Sequence, residues 1–92
     1  MAEASKTAKQ LERHFKGVAN HWRIAILRLI AESEGISVED IADKLNGNIK
    51  TISVHVQKLT RAGLVNKSHK GKIVQHSLSP YGKKFLRFIN SF

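Results

Sequence analysis

Residues 46–65 read Asn46-Gly47-Asn48-Ile49-Lys50-Thr51-Ile52-Ser53-Val54-His55-Val56-Gln57-Lys58-Leu59-Thr60-Arg61-Ala62-Gly63-Leu64-Val65. Asn46-Gly47 is a turn pair, and Asn48 has a side chain suited to capping the free N–H groups of a helix start. Ile49, Ile52, Val56 and Leu59 then recur at helical spacing, so a helix from Ile49 to about Ala62 turns them to one face. Gly63 stands where a helix commonly ends. At Leu64 the period changes from 3.6 to 2. Leu64 to His69 reads as a strand, Lys70-Gly71 as a tight turn, and Lys72 to Leu78 as the returning strand.

Upstream of the turn pair, Ser37 begins a shorter helix with Ile41 and Leu45 inward. Ser37 with Asp40 three residues on reads as a capping box, and Glu39 and Asp40 suit the positive end of the helix dipole. Before Gly35 runs a helix capped by Asn20 and carrying Trp22, Ile24, Ala25, Ile26, Leu27, Leu29 and Ile30. It is apolar nearly all round, which predicts a central buried position. An earlier helix starts near Thr7, with Leu11, Phe15, Val18 and Ala19 at helical spacing and Gly17 near its end. Downstream, Ser79-Pro80 is a helix start, followed by Tyr81, Phe85, Phe88, Ile89 and Phe92. The order is helix, helix, helix-turn-helix, β-hairpin, helix. The fold class is therefore mainly α with a β-hairpin: a winged helix-turn-helix of five helices and a two-stranded wing. Residues 1–6 are expected to be a disordered N-terminus and residues 7–92 one domain.

Charge is divided along the chain. Ten basic and no acidic residues follow Asp43, a net +10, whereas six basic and seven acidic residues precede Lys44, a net −1. Self-repulsion makes such segregation unfavourable unless a polyanion compensates it, and counterion release from phosphates supplies the drive to bind one. There is no cysteine, which removes disulfides and thiolate chemistry and fits a cytoplasmic protein. No apolar run reaches the ~18 residues of a membrane span, and Met1 to Gln10 lacks a signal-peptide core, so no membrane partner is expected. The five histidines, His14, His21, His55, His69 and His76, include no i,i+4 pair of the kind that holds zinc on a helix, so they read as surface or capping imidazoles. The acids Glu39, Asp40 and Asp43 are explained by their place in the first helix turns. No metal site, cofactor or catalytic residue is expected, and the chain does not read as an enzyme.

Several segments resemble the ArsR-type winged-helix repressors. Asn20 to Leu27 resembles their D-P-x-R-x-x-I-L. Thr51-Ile52-Ser53-Val54-His55-Val56 resembles T-V-S-x-H-L of their recognition helix, and Leu59 to Val65 resembles L-x-x-A-G-L-V. Gly71 and Val74 to Leu78 follow the wing pattern G-R-x-x-x-Y-x-L, with His76 where an aromatic is common. The resemblance covers about residues 8–90. It departs at both metal sites of the sensing members: Val38 to Leu45 has no cysteine, and residues 81–92 have no His, Asp or Glu. It departs again at Val54, where an Arg is common; a direct base contact is either lost or replaced by an apolar contact, as with a thymine methyl.

In such a fold the second helix of the pair enters the major groove with its N-terminal half leading. Lys50, Thr51, Ser53, Val54 and Gln57 are then the candidate base and phosphate contacts, Ser53 being otherwise a helix-packing hydroxyl, and Lys58 and Arg61 either reach backbone phosphates or are solvated. Lys67, Lys70 and Lys72 surround the wing tip and face a phosphate or the minor groove; otherwise they keep an exposed hairpin soluble. His55 is either a packing residue or a base reader. Leu11, Phe15 and Val18 on the first helix, and Tyr81, Phe85, Phe88, Ile89 and Phe92 on the last, are more apolar surface than a small core needs. The resemblance implies that these two helices form a dimer interface; otherwise both merely close the monomer core. The expected protein is a cytoplasmic, homodimeric, sequence-specific regulator of double-stranded DNA, acting as a repressor. The alternatives are a winged-helix protein-interaction module, a non-specific architectural nucleic-acid-binding protein, and a histidine-based metal sensor.

Overall fold

The computed structural model describes residues 6–92. It contains α1 (Ala8–Val18), α2 (His21–Glu32), α3 (Val38–Lys44), α4 (Ile49–Arg61), β1 (Val65–Lys70), β2 (Ile73–Leu78) and α5 (Pro80–Asn90). Five helices and one antiparallel hairpin follow in the expected order. Of the N-terminal stretch 1–6, residues 1–5 lie outside the described residues. Lys6 lies within them, its ammonium 4.2 Å from the centre of the Tyr81 ring.

Local chemistry sets the helix starts. The side chains of Asn20, Ser37, Asn48 and Ser79 accept hydrogen bonds from the first free N–H groups of α2, α3, α4 and α5. At α3 the capping is one-sided, Asp40 N–H donating to Ser37 Oγ at 3.1 Å. The reciprocal box forms at α1 instead, where Thr7 and Gln10 exchange both bonds; Gln10 supplies there the acceptor that the box requires at its third helical position.

The core is a single cluster. Ile26, Leu27, Ile30, Ile41, Ile52, Leu59, Leu64 and Val65 are its largest fully enclosed side chains, and each contributes about 1.5–3 kcal/mol by leaving water. Helix α2 supplies three of them and touches every other helix and β2, so it occupies the central position its sequence predicts. Ile49 differs from expectation. It is exposed, because a first-turn residue projects beyond the end of the core that Ile52, Val56 and Leu59 fill.

The helix-turn-helix connection is Leu45 to Asn48. Its left-handed residue is Asn46, with φ 53°, rather than the adjacent glycine. Gly47 is constrained by packing instead: a Cβ there would meet Ile52 and Trp22 at 3.0–3.3 Å, so their side chains would have to shift to admit it.

The hairpin is offset by one residue from its sequence reading. Lys70 pairs with Ile73, so the two-residue turn is Gly71-Lys72, not Lys70-Gly71. Gly71 has φ 63°, and Lys72 does not share a positive φ. A two-residue turn of the II′ kind needs its glycine first, and that fixes the register. The sheet also gains a short rung that alternation does not reveal. Gly35 N–H donates to His76 O at 2.8 Å, and His76 N–H donates to Ile36 O at 3.1 Å.

Two histidines are core residues rather than surface groups. His14 and His76 are each 3% exposed. His76 Nδ1 lies 2.8 Å from Ile36 O, and His14 Nδ1 lies 2.7 Å from Ala62 O. A carbonyl oxygen only accepts, so each ring carries its proton on Nδ1. The His14 ring stacks on Tyr81 at 5.0 Å between centroids, joining α1, the end of α4, and α5. Backbone proximity supports the same junction: Gly17 of α1 has no space for a side chain against Ala62 Cβ.

Candidate nucleic-acid interface

Helix α4 buries Ile52, Val56 and Leu59 and turns its other face outward. Lys50, Thr51, Val54, Gln57, Lys58 and Arg61 are all exposed there, and Ser53 is half-buried at its edge. No acidic residue lies on α4, on the wing or on α5. Asn48 Oδ1 accepts from the N–H groups of Lys50 and Thr51 at 2.9 and 3.3 Å. That holds the leading turn of the helix in shape while the side chains of Lys50 and Thr51 remain free.

The wing flanks this face. Ser53 and Gln57 share a hollow of about 160 Å³ with Lys67, Val74 and His76, so the wing root and the middle of α4 form one surface. Lys70 and Lys72 are exposed at and beside the turn. Lys72 also lines a separate hollow with Glu39 and Asp40 of α3, without an ion pair to either among the described residues.

His55 points to the other flank. It is half-buried, and its Nδ1 is enclosed without a hydrogen-bond partner. Burial, then the positive charges of Arg23, Lys58 and His21, lower its pKa from 6.5. The folded state thus binds this proton less readily than the unfolded state. Its contribution to stability is intact above pH 6.5, declines as pH falls through that value, and levels off below the lowered folded pKa. An NMR titration of the free protein is expected to give His55 a midpoint below 6.5. A midpoint at or above that value would mean the imidazole does not sit among these cations.

The second candidate surface joins α1 and α5. Leu11, Phe15, Lys84, Phe85 and Phe88 line an apolar hollow of about 240 Å³. The Phe15 and Phe85 rings meet edge to face at 4.9 Å, as do Phe88 and Phe92 at 5.1 Å. Leu11, Phe15, Tyr81, Phe88 and Phe92 are exposed, Phe92 by 93%. Phe85 and Ile89 pack partly on the core. Val18, grouped with this surface in the sequence reading, is instead inside the core at 8% exposure, because it closes α1 onto the body of the domain.

Sequence reasoning passed over Arg13, Lys16 and Arg23. These line a cleft with Lys58 and Arg61 on the far side of α4 from the wing. They come from the half of the chain whose net charge is near zero, so a count by halves conceals them. The signal that could have found them was the spacing of Arg13 and Lys16, which places both on one side of α1.

No curated protein sequence matches the chain. Solved structures do. The solution structure of the homodimeric winged helix-turn-helix DNA-binding domain of Mb0332 from Mycobacterium bovis, a possible ArsR-family transcriptional regulator, is 28% identical. The match covers 99% of this chain and 88% of that one, with a TM-score of 0.83. HlyU from Vibrio cholerae is 26% identical over 96% of each chain, with a TM-score of 0.82. NolR from Sinorhizobium fredii, at 23% identity, shares the fold over 99% of this chain and 95% of its own, with a TM-score of 0.82. Among the described residues no helix is long and apolar enough to cross a membrane. A family model described as "Helix-turn-helix domain" matches residues 18–68, the stretch from the end of α1 into β1, and the chain belongs to that family, in a winged form similar to ArsR-type regulators.

Proposed function

We propose that the protein is a sequence-specific transcriptional regulator that binds double-stranded DNA as a homodimer and represses. The observation that carries this reading is the outward face of α4. Lys50, Thr51, Val54, Gln57, Lys58 and Arg61 are exposed on one acid-free helix whose opposite face is fixed in the core. A helix is the right width for the major groove, and its Lys, Thr, Ser and Gln side chains reach base edges and phosphates there. Lys67 and Lys70 extend the cationic surface along the wing. Mb0332 is described as a homodimeric DNA-binding domain, which supports the same assembly for this chain. The apolar surface of Leu11, Phe15, Tyr81, Phe88 and Phe92 is what a two-fold partner would cover. Repression follows if the operator overlaps the site of polymerase entry.

Fluorescence anisotropy against the duplex upstream of the protein's own gene, beside a scrambled duplex, tests this over a salt series. Specific binding is expected to exceed scrambled binding by about 10³-fold or more, with affinity falling steeply as salt rises. Equal affinity for both duplexes would replace the reading with a non-specific architectural one.

A further inference from the structure

Arg13 and Lys16 on α1, Arg23 on α2, and Lys58 and Arg61 on α4 converge on one cleft of about 340 Å³, with Gly17 and Ala62 between them. Five cations from three helices repel one another unless an anion joins them. Among the described residues one carboxylate answers them, Glu12, 3.3 Å from Lys16 Nζ, and that pair is largely solvated, so it neutralises little. Arg13, Arg23, Lys58 and Arg61 have no ion-pair partner among the described residues. The Nε of Arg23 is enclosed and makes no hydrogen bond, which is unfavourable for a charged donor. Burial first, and then the charges of Arg23 and Lys58 from this cluster with His21, hold the pKa of His55 below 6.5.

The cleft is continuous with the outward face of α4. On one flank of that face, Ser53 and Gln57 meet Lys67 of the wing. On the other, Lys58 and Arg61 meet the cations of α1 and α2. We propose that this cleft is a docking site for a backbone phosphate of the same duplex that α4 enters, on the side opposite the wing. The inference rests on the DNA-binding reading. A guanidinium fork matches phosphate oxygens in pairs, so Arg23 and Arg61 provide directed contacts and Lys16 and Lys58 provide charge. A phosphate carries no base identity. The cleft therefore adds affinity and fixes how the helix sits in the groove, and it leaves the choice of sequence to Lys50, Thr51, Val54 and Gln57.

The test uses the full chain and the two duplexes of the anisotropy assay. Arg23→Gln is expected to weaken binding to both by the same factor, about ten-fold, and to reduce the steepness of log K against log salt by about 0.9 for each phosphate that is no longer neutralised. Arg23→Lys keeps the salt slope and loses part of the affinity. The double variant Arg13→Gln/Arg61→Gln, at two exposed positions, gives the same signature if Arg23→Gln fails to fold. Lys83→Gln, which removes one charge beside Glu34 at another hollow, leaves the slope in place. If the wild type binds and the cleft variants keep its slope, or weaken the specific duplex alone, the phosphate site is overturned while DNA binding stands. If the wild type binds neither duplex, both readings fall.

Discussion

Phe88→Asp is expected to yield a folded single-chain species by light scattering at micromolar concentration, with a thermal midpoint lowered only by the loss of the stabilisation a partner subunit supplies. Phe88 is 52% exposed in the protomer, so the protomer depends little on it. In a two-fold interface, by contrast, the residue and its symmetry mate would lie among Leu11, Phe15 and Phe85. Removing the ring forfeits about 1.5–3 kcal/mol of burial. Forcing a carboxylate into the same place adds several kcal/mol of desolvation on each side. Together these raise the dimer dissociation constant by at least ~10³-fold. Operator affinity falls with it, by about 10²-fold or more, because the second half-site loses the effective concentration the linkage supplies. A variant that remains dimeric would place the interface elsewhere.

Gly82→Ala carries the largest expected loss of folding stability from one added methyl group. Helix propensity argues the other way, since Ala is better than Gly by up to ~1 kcal/mol within a helix. Packing decides the sign. A Cβ on Gly82 would collide with the carbonyl oxygen of Leu64. That oxygen is backbone and already accepts from Ser79 N–H at 3.0 Å, so it cannot swing aside as a flexible side chain would. Helix α5 must retreat, and the bonds around Ser79 stretch with it. Overpacking of this kind costs up to about 3 kcal/mol, and the net loss of about 2 kcal/mol lowers the melting midpoint by roughly 8–16 °C for a domain this size. A melting scan that shows no drop, or a rise, would mean the two backbones are not in contact.

Gly82 also illustrates which parts of the molecule were legible beforehand. Helix starts were, because an Asn or Ser cap acts on N–H groups two or three residues away. The helix-turn-helix and wing followed from periodicity for the same reason. What sequence pattern missed depends on partners distant in the chain. His14 and His76 are ordinary polar residues until Ala62 O and Ile36 O, 48 and 40 residues away, give their Nδ1 protons a buried acceptor. The rung at Gly35 and Ile36 is too short to alternate. The turn shifted by one because alternation alone does not say which residue carries the positive φ. At the candidate interface, α4 and the wing lysines were readable, since they belong to one basic stretch. The cleft was not, because its five cations are contributed by three helices from both halves of the chain.

The C-terminal end of α4 is fastened twice. His14 of α1 donates to Ala62 O, and Ser79, which caps α5, donates through Oγ to Gly63 O at 2.6 Å. Helix α4 is thus anchored to the same two helices that present the aromatic surface. In a dimer built on that surface, the protein would act as a stiff calliper whose jaws are the two α4 helices. One base pair inserted between half-sites moves the second site ~3.4 Å along the axis and turns it by roughly 35°. A jaw held at both Ala62 and Gly63 would resist following, and the cost would fall on twisting the DNA. Operator spacing should therefore be tolerated over a single value, while individual bases within each half-site vary more freely.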